Sequence, residues 1–411
     1  MDPQAAPETP RAETWFERYR TAPRVQHAAN FFWLFAMCWG LYVLSGSLKW
    51  THYNAHVHLA DAFLHGRFHL EAAPGHFETT TFEGKTYVAY GIAPALLMLP
   101  FVAVFGLEFH QAIFGAALGA LAVAVWWSAL GKLGVADSVR NWLTVLFGFG
   151  SLFWFHAGQS GATWPLMHVV AVLGLMVAIN ESLGKQRAWI VGLAFGLAVL
   201  SRQTVFLALP LFVVMLWRDD RSSGGSSILK KAIGFALGLG SLLGFNAFYN
   251  YARFGSLLDN GYARVIADTT AEHSLRHGTF SPHYLEANLH GYFLRLPEKL
   301  DHFPWFDPSM DGFSMFIAMP ALIFLARADY RQRIHQVALA AIVAIMAFYL
   351  LYYWSGYAQF GRRYTVDFLP LAMLLIASGV RNRVGTVLMA CVIVGVVVEV
   401  WGLFWWGMKG W

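Results

Sequence analysis

The stretch Gly91-Ile92-Ala93-Pro94-Ala95-Leu96-Leu97-Met98-Leu99-Pro100-Phe101-Val102-Ala103-Val104-Phe105-Gly106-Leu107 decides how the rest of the chain is oriented. It is apolar throughout, but the run 92–107 is short and holds two prolines. A helix needs roughly 20 apolar residues to cross the hydrocarbon core of a bilayer. Around this run lie apolar stretches at 28–48, 109–130, 141–157, 163–180, 188–200, 203–217, 232–250, 313–326, 335–354, 367–379 and 385–406. They are continuous rather than alternating in polarity, which is the pattern of helices and not of barrel strands. In lipid only those two structures satisfy the backbone. The sequence therefore describes an all-α polytopic membrane protein with about 11 transmembrane helices.

Charge settles the short run. If 92–107 does not cross and the N-terminus is cytoplasmic, the cytoplasmic segments carry Arg11, Arg18, Arg20 and Arg24, then Lys132 and Arg140, then Lys185 and Arg187. They go on to carry Arg218, Arg221, Lys230 and Lys231, then Arg327, Arg331 and Arg333, then Arg381 and Arg383. Every short cytoplasmic loop is basic, as the positive-inside rule requires. If the run crosses, all later loops break that rule. The run reads as a juxtamembrane or re-entrant helix in the first outer loop. Two long segments then face outward, within 49–108 and 251–312, with short outer turns at 158–162, 201–203 and 355–366.

Composition agrees. The chain has 411 residues, of which 57% are hydrophobic and 13% charged. Soluble domains carry about 25% charged residues. Trp126, Trp127, Trp164, Trp217, Trp354, Trp405 and Trp406 lie near run ends, where interfacial aromatic belts form. The net charge of +5 sits mainly in short loops and does not point to nucleic acid. Cys38 and Cys391 lie inside apolar runs and form no disulfide framework. Residues 1–27 read as a disordered cytoplasmic segment, and 28–411 as a single transmembrane domain with outer loops. No signal peptide is expected, and no phosphate loop, dinucleotide fingerprint or nucleophile elbow occurs.

The chemistry gathers on the outer side. The first outer loop carries His52, Asn54, His56, His58, Asp61, His65, Arg67, His69, Glu71, His76, Glu78, Glu83 and Lys85. If 59–64 is helical, Asp61 shares a face with His58 and His65. A carboxylate beside imidazoles can act as a general base or hold a cation. The same pattern also suits a solvated interfacial helix, and the spacing matches no strong metal signature. Tyr87 and Tyr90 could stack on a sugar or anchor in the headgroup layer. Arg202 stands between two short apolar runs, where an arginine is costly and faces a polar cavity, an anion or lipid phosphate. Arg362 and Arg363 are outer-side arginines that could pair with Asp367 or grip a phosphate. Asn250 opens an aromatic and amide-rich patch that suits carbohydrate or any amphipathic loop. His168, a lone histidine on an apolar face, reads as a satisfied core residue.

In order along the chain, the stretch Ala60–Arg67, the segment Tyr87–Pro100, Ser201-Arg202, the patch Asn250–Gly255 and the patch Phe360–Pro370 resemble the GT-C superfamily of polytopic glycosyltransferases. The chain is most similar to bacterial members related to protein mannosyltransferases and aminoarabinose transferases. That resemblance implies a GT-C-like fold in an inner membrane and a polyprenyl-phosphate sugar as donor. It implies basic residues holding the phosphate, here Arg202, Arg362 and Arg363, with Tyr87, Tyr90, Asn54 and Asn250 around the substrate. It also implies a catalytic carboxylate early in the first outer loop. The position that best matches it is Asn54, and an amide cannot take a proton. Either Asp61 serves as the base, or another carboxylate such as Glu78 does, or the site is altered.

The expected activity is transfer of a sugar from a polyprenyl-phosphate donor to a glycan, lipid or protein acceptor on the non-cytoplasmic face. No cofactor is required by the residues, and a divalent metal is left open. The rival readings are a lipid or polysaccharide transporter or flippase, and a non-catalytic partner in envelope glycan assembly. A transporter places its ionisable groups near the midplane, whereas these lie at outer ends. A reporter at Lys132 should be reached only from the cytoplasmic side, and labelling it from outside would overturn this topology.

Overall fold

The computed structural model describes residues 24–46, 51, 53–71, 79–217, 225–265, 276–356 and 359–409. The expected disordered segment up to residue 23, together with His52, His76 and Glu78, lies outside the described residues. The main helices are α1 (Arg24–Ser45), α2 (Ala55–Leu64), α3 (Ala93–Phe105), α4 (Gln111–Lys132), α5 (Asp137–Phe149), α6 (Phe153–Gly158) and α7 (Thr163–Leu183). They continue with α8 (Ala188–Ser201), α9 (Leu209–Trp217), α10 (Gly225–Phe254), α11 (Arg333–Leu350), α12 (Leu369–Gly379) and α13 (Thr386–Lys409). α1 starts at Arg24, ahead of the expected boundary at 28, and His27 stacks on Trp127 at 4.9 Å.

Among the described residues six helices are long and apolar enough to cross a membrane: α1, α4, α7, α10, α11 and α13. The other apolar runs are built from short pieces. α5 and α6 are separated at residues 150–152, and 203–208 is a 3₁₀ turn leading into α9. Met315–Ala318 is followed by the 3₁₀ turn Pro320–Arg327, and Arg363–Phe368 is a 3₁₀ turn leading into α12. Pro320 and Pro370 stand in the first turn of their segments, where a missing N–H costs no hydrogen bond.

Hydrogen bonds sort the connections into two ends. At one end Lys132 Nζ donates to the carbonyl of Asn180 at 2.7 Å, and Asn382 accepts from the Ala136 N–H at 2.7 Å. There too Lys231 Nζ donates to Gln186 at 2.8 Å and to the Leu216 carbonyl at 3.0 Å. These are the basic loops. At the opposite end Ser201 Oγ donates to the Met167 carbonyl, and Gln111 Nε2 to the Gly161 carbonyl, both at 2.8 Å. Arg253 Nη1 donates to the Val88 carbonyl there at 2.7 Å.

α3 belongs wholly to this second end. Gly91, just before it, is so close to α8 that an added Cβ would lie 2.2 Å from the Leu200 carbonyl oxygen. Gln111, just after it, bonds Gly161. Both flanks therefore meet turns of this second end, and the helix lies across this end of the bundle rather than through it. With α2 it forms a small core of its own, in which Leu59, Val88, Ile92 and Met98 pack on Leu166, Leu200 and Tyr249. The hairpin Thr79–Phe82 with Lys85–Val88 leads into it. Its two-residue turn has positive φ at both Glu83 (49°) and Gly84 (73°), as the twist of a tight hairpin demands.

The long helices approach closely through glycine. A Cβ on Gly192 would lie 2.4 Å from the Phe235 carbonyl oxygen, and one on Gly238 would lie 2.2 Å from that of Trp189. Such small-residue contacts let helices associate in lipid, where no hydrophobic gain separates one apolar face from another. The result is a helical, multi-pass membrane fold.

Candidate functional site

Asp367 has no exposed surface, and its carboxylate gathers four side chains from three other segments. Arg202 Nε donates to both of its oxygens at 3.1 Å, and Arg202 Nη2 donates to Oδ2 at 3.0 Å. Thr204 Oγ1 donates to Oδ2 at 2.9 Å, and the Tyr349 hydroxyl donates to the same oxygen. His168 Nδ1 lies 2.7 Å from Oδ1. A carboxylate held ionised by an arginine only accepts, so Nδ1 of His168 carries the proton. Nε2 is left as a buried lone pair with no partner among the described residues. Arg202 also donates to the Tyr349 hydroxyl at 2.9 Å, which leaves Nη1 as its uncommitted nitrogen among the described residues.

The local backbone explains why Asp367 meets Arg202 and neither Arg362 nor Arg363. Four residues apart on an α-helix, Arg363 and Asp367 would share a face. The segment is a 3₁₀ turn with about three residues per turn, so they diverge. Arg362 is buried and its guanidinium lies beside Gly291, where a Cβ would sit 1.7 Å from Nη2. Its Nη1 reaches the Ser355 carbonyl only at 3.5 Å, and its carbon lies 5.2 Å from the Tyr292 ring centre. Arg363 lies 5.3 Å from the Tyr364 ring centre. Among the described residues neither arginine forms an ion pair with a carboxylate, and the buried Nε of each has no hydrogen-bond partner. The hydroxyl of the buried Tyr292 is likewise unpartnered.

Tyrosines join the parts. Tyr364 stacks on Tyr349 at 4.5 Å and lies 5.1 Å from the Arg202 guanidinium. Tyr352 lies 6.5 Å from Tyr364, and its hydroxyl is 2.9 Å from that of Tyr262. Tyr262 in turn lies 6.3 Å from Tyr90. Tyr90 and Asn250 line a cavity of about 300 Å³ beside this row. Asn250 Oδ1 accepts from Arg253 Nη2 at 2.8 Å.

The remaining expected residues lie apart. Tyr87 is buried, with its ring packed on Phe254 at 5.3 Å. Asn54 stands at the N-cap of α2 without a capping bond, near Thr51, Phe109 and Gln111. Asp61 is on α2, with one oxygen 3.5 Å from His65 Nδ1 and the other 3.5 Å from Arg67 Nη2. His56 of the same helix is fully buried, and burial pushes its imidazole down to about 3, so it is neutral. Among the described residues no three His, Cys, Asp or Glu side chains gather as a metal site. Sequence alone does not mark His168, Thr204 and Tyr349 as site residues. Each sits in an apolar run or beside one, and only the fold brings them to Asp367.

No family model matches the sequence, and no curated protein does. A solved structure does match in fold: the crystal structure of ArnT from Cupriavidus metallidurans bound to undecaprenyl phosphate, with a TM-score of 0.50 and 13% identity. The fold is similar to that of ArnT. The match covers 92% of this chain and 64% of ArnT, so the chain spans less than two thirds of that protein's length. At this identity the likeness is one of fold alone.

Replacing Asp367 by Asn keeps the shape and leaves the Arg202 cation buried and unpaired. Breaking a buried pair in this way costs about 3–5 kcal/mol. Asp367→Asn should therefore lower the thermal unfolding midpoint of the purified protein strongly, and a midpoint equal to wild type would show that Arg202 does not depend on this carboxylate.

Proposed function

We propose that the chain is a membrane glycosyltransferase that takes its sugar from a polyprenyl-phosphate donor at the loop end of the bundle. The observation that carries this reading is the adjacent pair Arg362 and Arg363, whose buried Nε groups have no partner among the described residues. Buried donors without partners are costly, and a cationic pair without a carboxylate calls for an anion. A guanidinium binds phosphate oxygens by two parallel hydrogen bonds. The GT-C-like fold makes a lipid-borne phosphate the fitting anion, as ArnT was crystallised with undecaprenyl phosphate.

The roles divide as follows. Arg362 and Arg363 hold the donor phosphate. Arg202, committed to Asp367 through Nε and Nη2, positions Tyr364 and the arginine segment and offers at most Nη1 to the ligand. An acceptor hydroxyl attacks the anomeric carbon and forms the new C–O bond as the bond to the phosphate oxygen breaks. The charge released on the lipid phosphate falls on the two arginines. The hydroxyl proton passes to a general base, for which Asp61, half-buried between His65 and Arg67, is the proposed group.

A transport reading has one observation of its own. Glu399 is a fully buried carboxyl within α13, and an acid inside a span marks function by default. Its Oε2 accepts the N–H of Phe155 at 2.9 Å, which caps the start of α6. That contact gives it a structural task.

Binding of undecaprenyl phosphate to the protein in nanodiscs tests the anion site. Arg363→Ala should weaken it by roughly 10- to 100-fold, the effect of losing a hydrogen bond to a charged group. Wild-type affinity in both Arg362→Ala and Arg363→Ala would overturn the assignment.

A further inference from the structure

We infer that the cavity bounded by Tyr90, Gln203, Asn246, Asn250 and Asn260 is a second binding site, which takes the neutral, hydroxyl-rich head group of a membrane lipid. Its volume of about 300 Å³ is at the low end of small-molecule pockets, roughly 300–1,000 Å³, and so suits a single compact group.

The chemistry of the walls selects that group. Four amide side chains line the cavity, drawn from α10, the 203–208 turn and the loop after α10. Asn250 donates to the Leu257 carbonyl at 3.2 Å and accepts from Arg253, and Asn260 accepts from the Tyr262 N–H at 3.0 Å, so Asn246 and Gln203 carry the groups left for a ligand. The side chain of Asn246 makes no hydrogen bond to the protein among the described residues. Gln203 accepts from Asn260 Nδ2 at 3.2 Å through Oε1, which leaves its own NH₂ to donate. Amides both donate and accept, as a polyol does, and they carry no net charge. The half-buried ring of Tyr90 adds an apolar face. The one charged residue in the lining is Arg253, and its fork is spent within the protein. Nε donates to the Tyr249 carbonyl at 3.3 Å, Nη1 to that of Val88 at 2.7 Å and Nη2 to Asn250 Oδ1 at 2.8 Å. Each nitrogen of the one guanidinium here already donates within the protein, and a cation would find no carboxylate among the lining residues.

The mouth points to a lipid source. Phe206, at the rim, is 42% exposed, and Leu243 and Val199 continue an apolar edge. Asn246 lies on α10, whose Ile233, Leu237 and Phe248 are all open on the outside of the bundle. A molecule with a polar head and an apolar tail can seat the head on the amides and leave the tail along this face. The tyrosine row from Tyr90 through Tyr262 and Tyr352 to Tyr364 links the cavity to Arg363. In the glycosyltransferase reading, on which this role alone rests, the lipid held here is the acceptor.

The test uses the full chain in nanodiscs and three probes: dodecyl β-glucoside, glucose and dodecyl phosphate. Dodecyl glucoside should bind saturably, and Asn246→Leu should weaken it by about tenfold, the effect of one lost hydrogen bond with its desolvated partner. Gln203→Leu, in an exposed turn, should weaken it too and serves if Asn246→Leu does not fold. Dodecyl phosphate binding should be unchanged in both variants. Wild-type affinity for the glucoside in both would overturn the site. Glucose binding as tightly as the glucoside would overturn its lipid source, and dodecyl phosphate displacing the glucoside in an Asn246-dependent way would overturn its neutral preference. Dodecyl phosphate binding that is indifferent to Arg363→Ala would instead count against the anion site alone.

Discussion

The ion pair between Arg202 and Asp367 is the constraint on which the loop end of this bundle depends. Either charge alone would be prohibitive at such depth in an apolar bundle. Together, with three hydrogen bonds between them and further donors from His168, Thr204 and Tyr349, they form a satisfied network. That network ties α7, the turn after α8, α11 and the turn before α12 at one point. It also has a negative consequence. Because Arg202 occupies the carboxylate, Arg362 and Arg363 are left without a counter-ion among the described residues.

An uncompensated positive pair in a site of low effective dielectric attracts an anion more strongly than the same pair in water. In the proposed reading the donor phosphate offsets the cost of keeping it there. An amphiphile that brings a phosphate from the bilayer meets this need without crossing the aqueous phase. Beside it, the amide-lined cavity has the opposite character, rich in hydrogen-bonding groups and free of available charge. Two arginines without a counter-ion and a neutral cavity, joined by a row of tyrosines, are what a transfer between two amphiphiles would use.

Much of the fold is legible in the sequence, because a bilayer imposes length and polarity on each run. The residues at 92–107 announce their shortness and their prolines, and the basic loops place both flanks on one side. The arginines at 202, 362 and 363 stand out for the same reason, as charges where a membrane resists them. Their partners are less legible. Spacing suggests Arg363 with Asp367, and it misleads because a 3₁₀ turn replaces the α-helix on which that spacing would matter. His168 and Tyr349 are hidden inside long apolar runs, where a single polar side chain looks incidental. The cavity is hidden further, since Gln203, Asn246 and Asn260 belong to three segments with no common motif. On α2 the pairing of Asp61 with His65 follows from helical spacing, whereas Arg67 reaches back from beyond the helix end.

The most direct measurement is transfer of radiolabelled sugar from a panel of polyprenyl-phosphate sugars, with the protein in liposomes that contain lipid acceptors. The same preparation should be assayed for movement of the donor across the bilayer. A glycosyltransferase gives a labelled product and consumes donor from one leaflet only. Donor that crosses the membrane with no product formed would contradict it and make the chain a transporter.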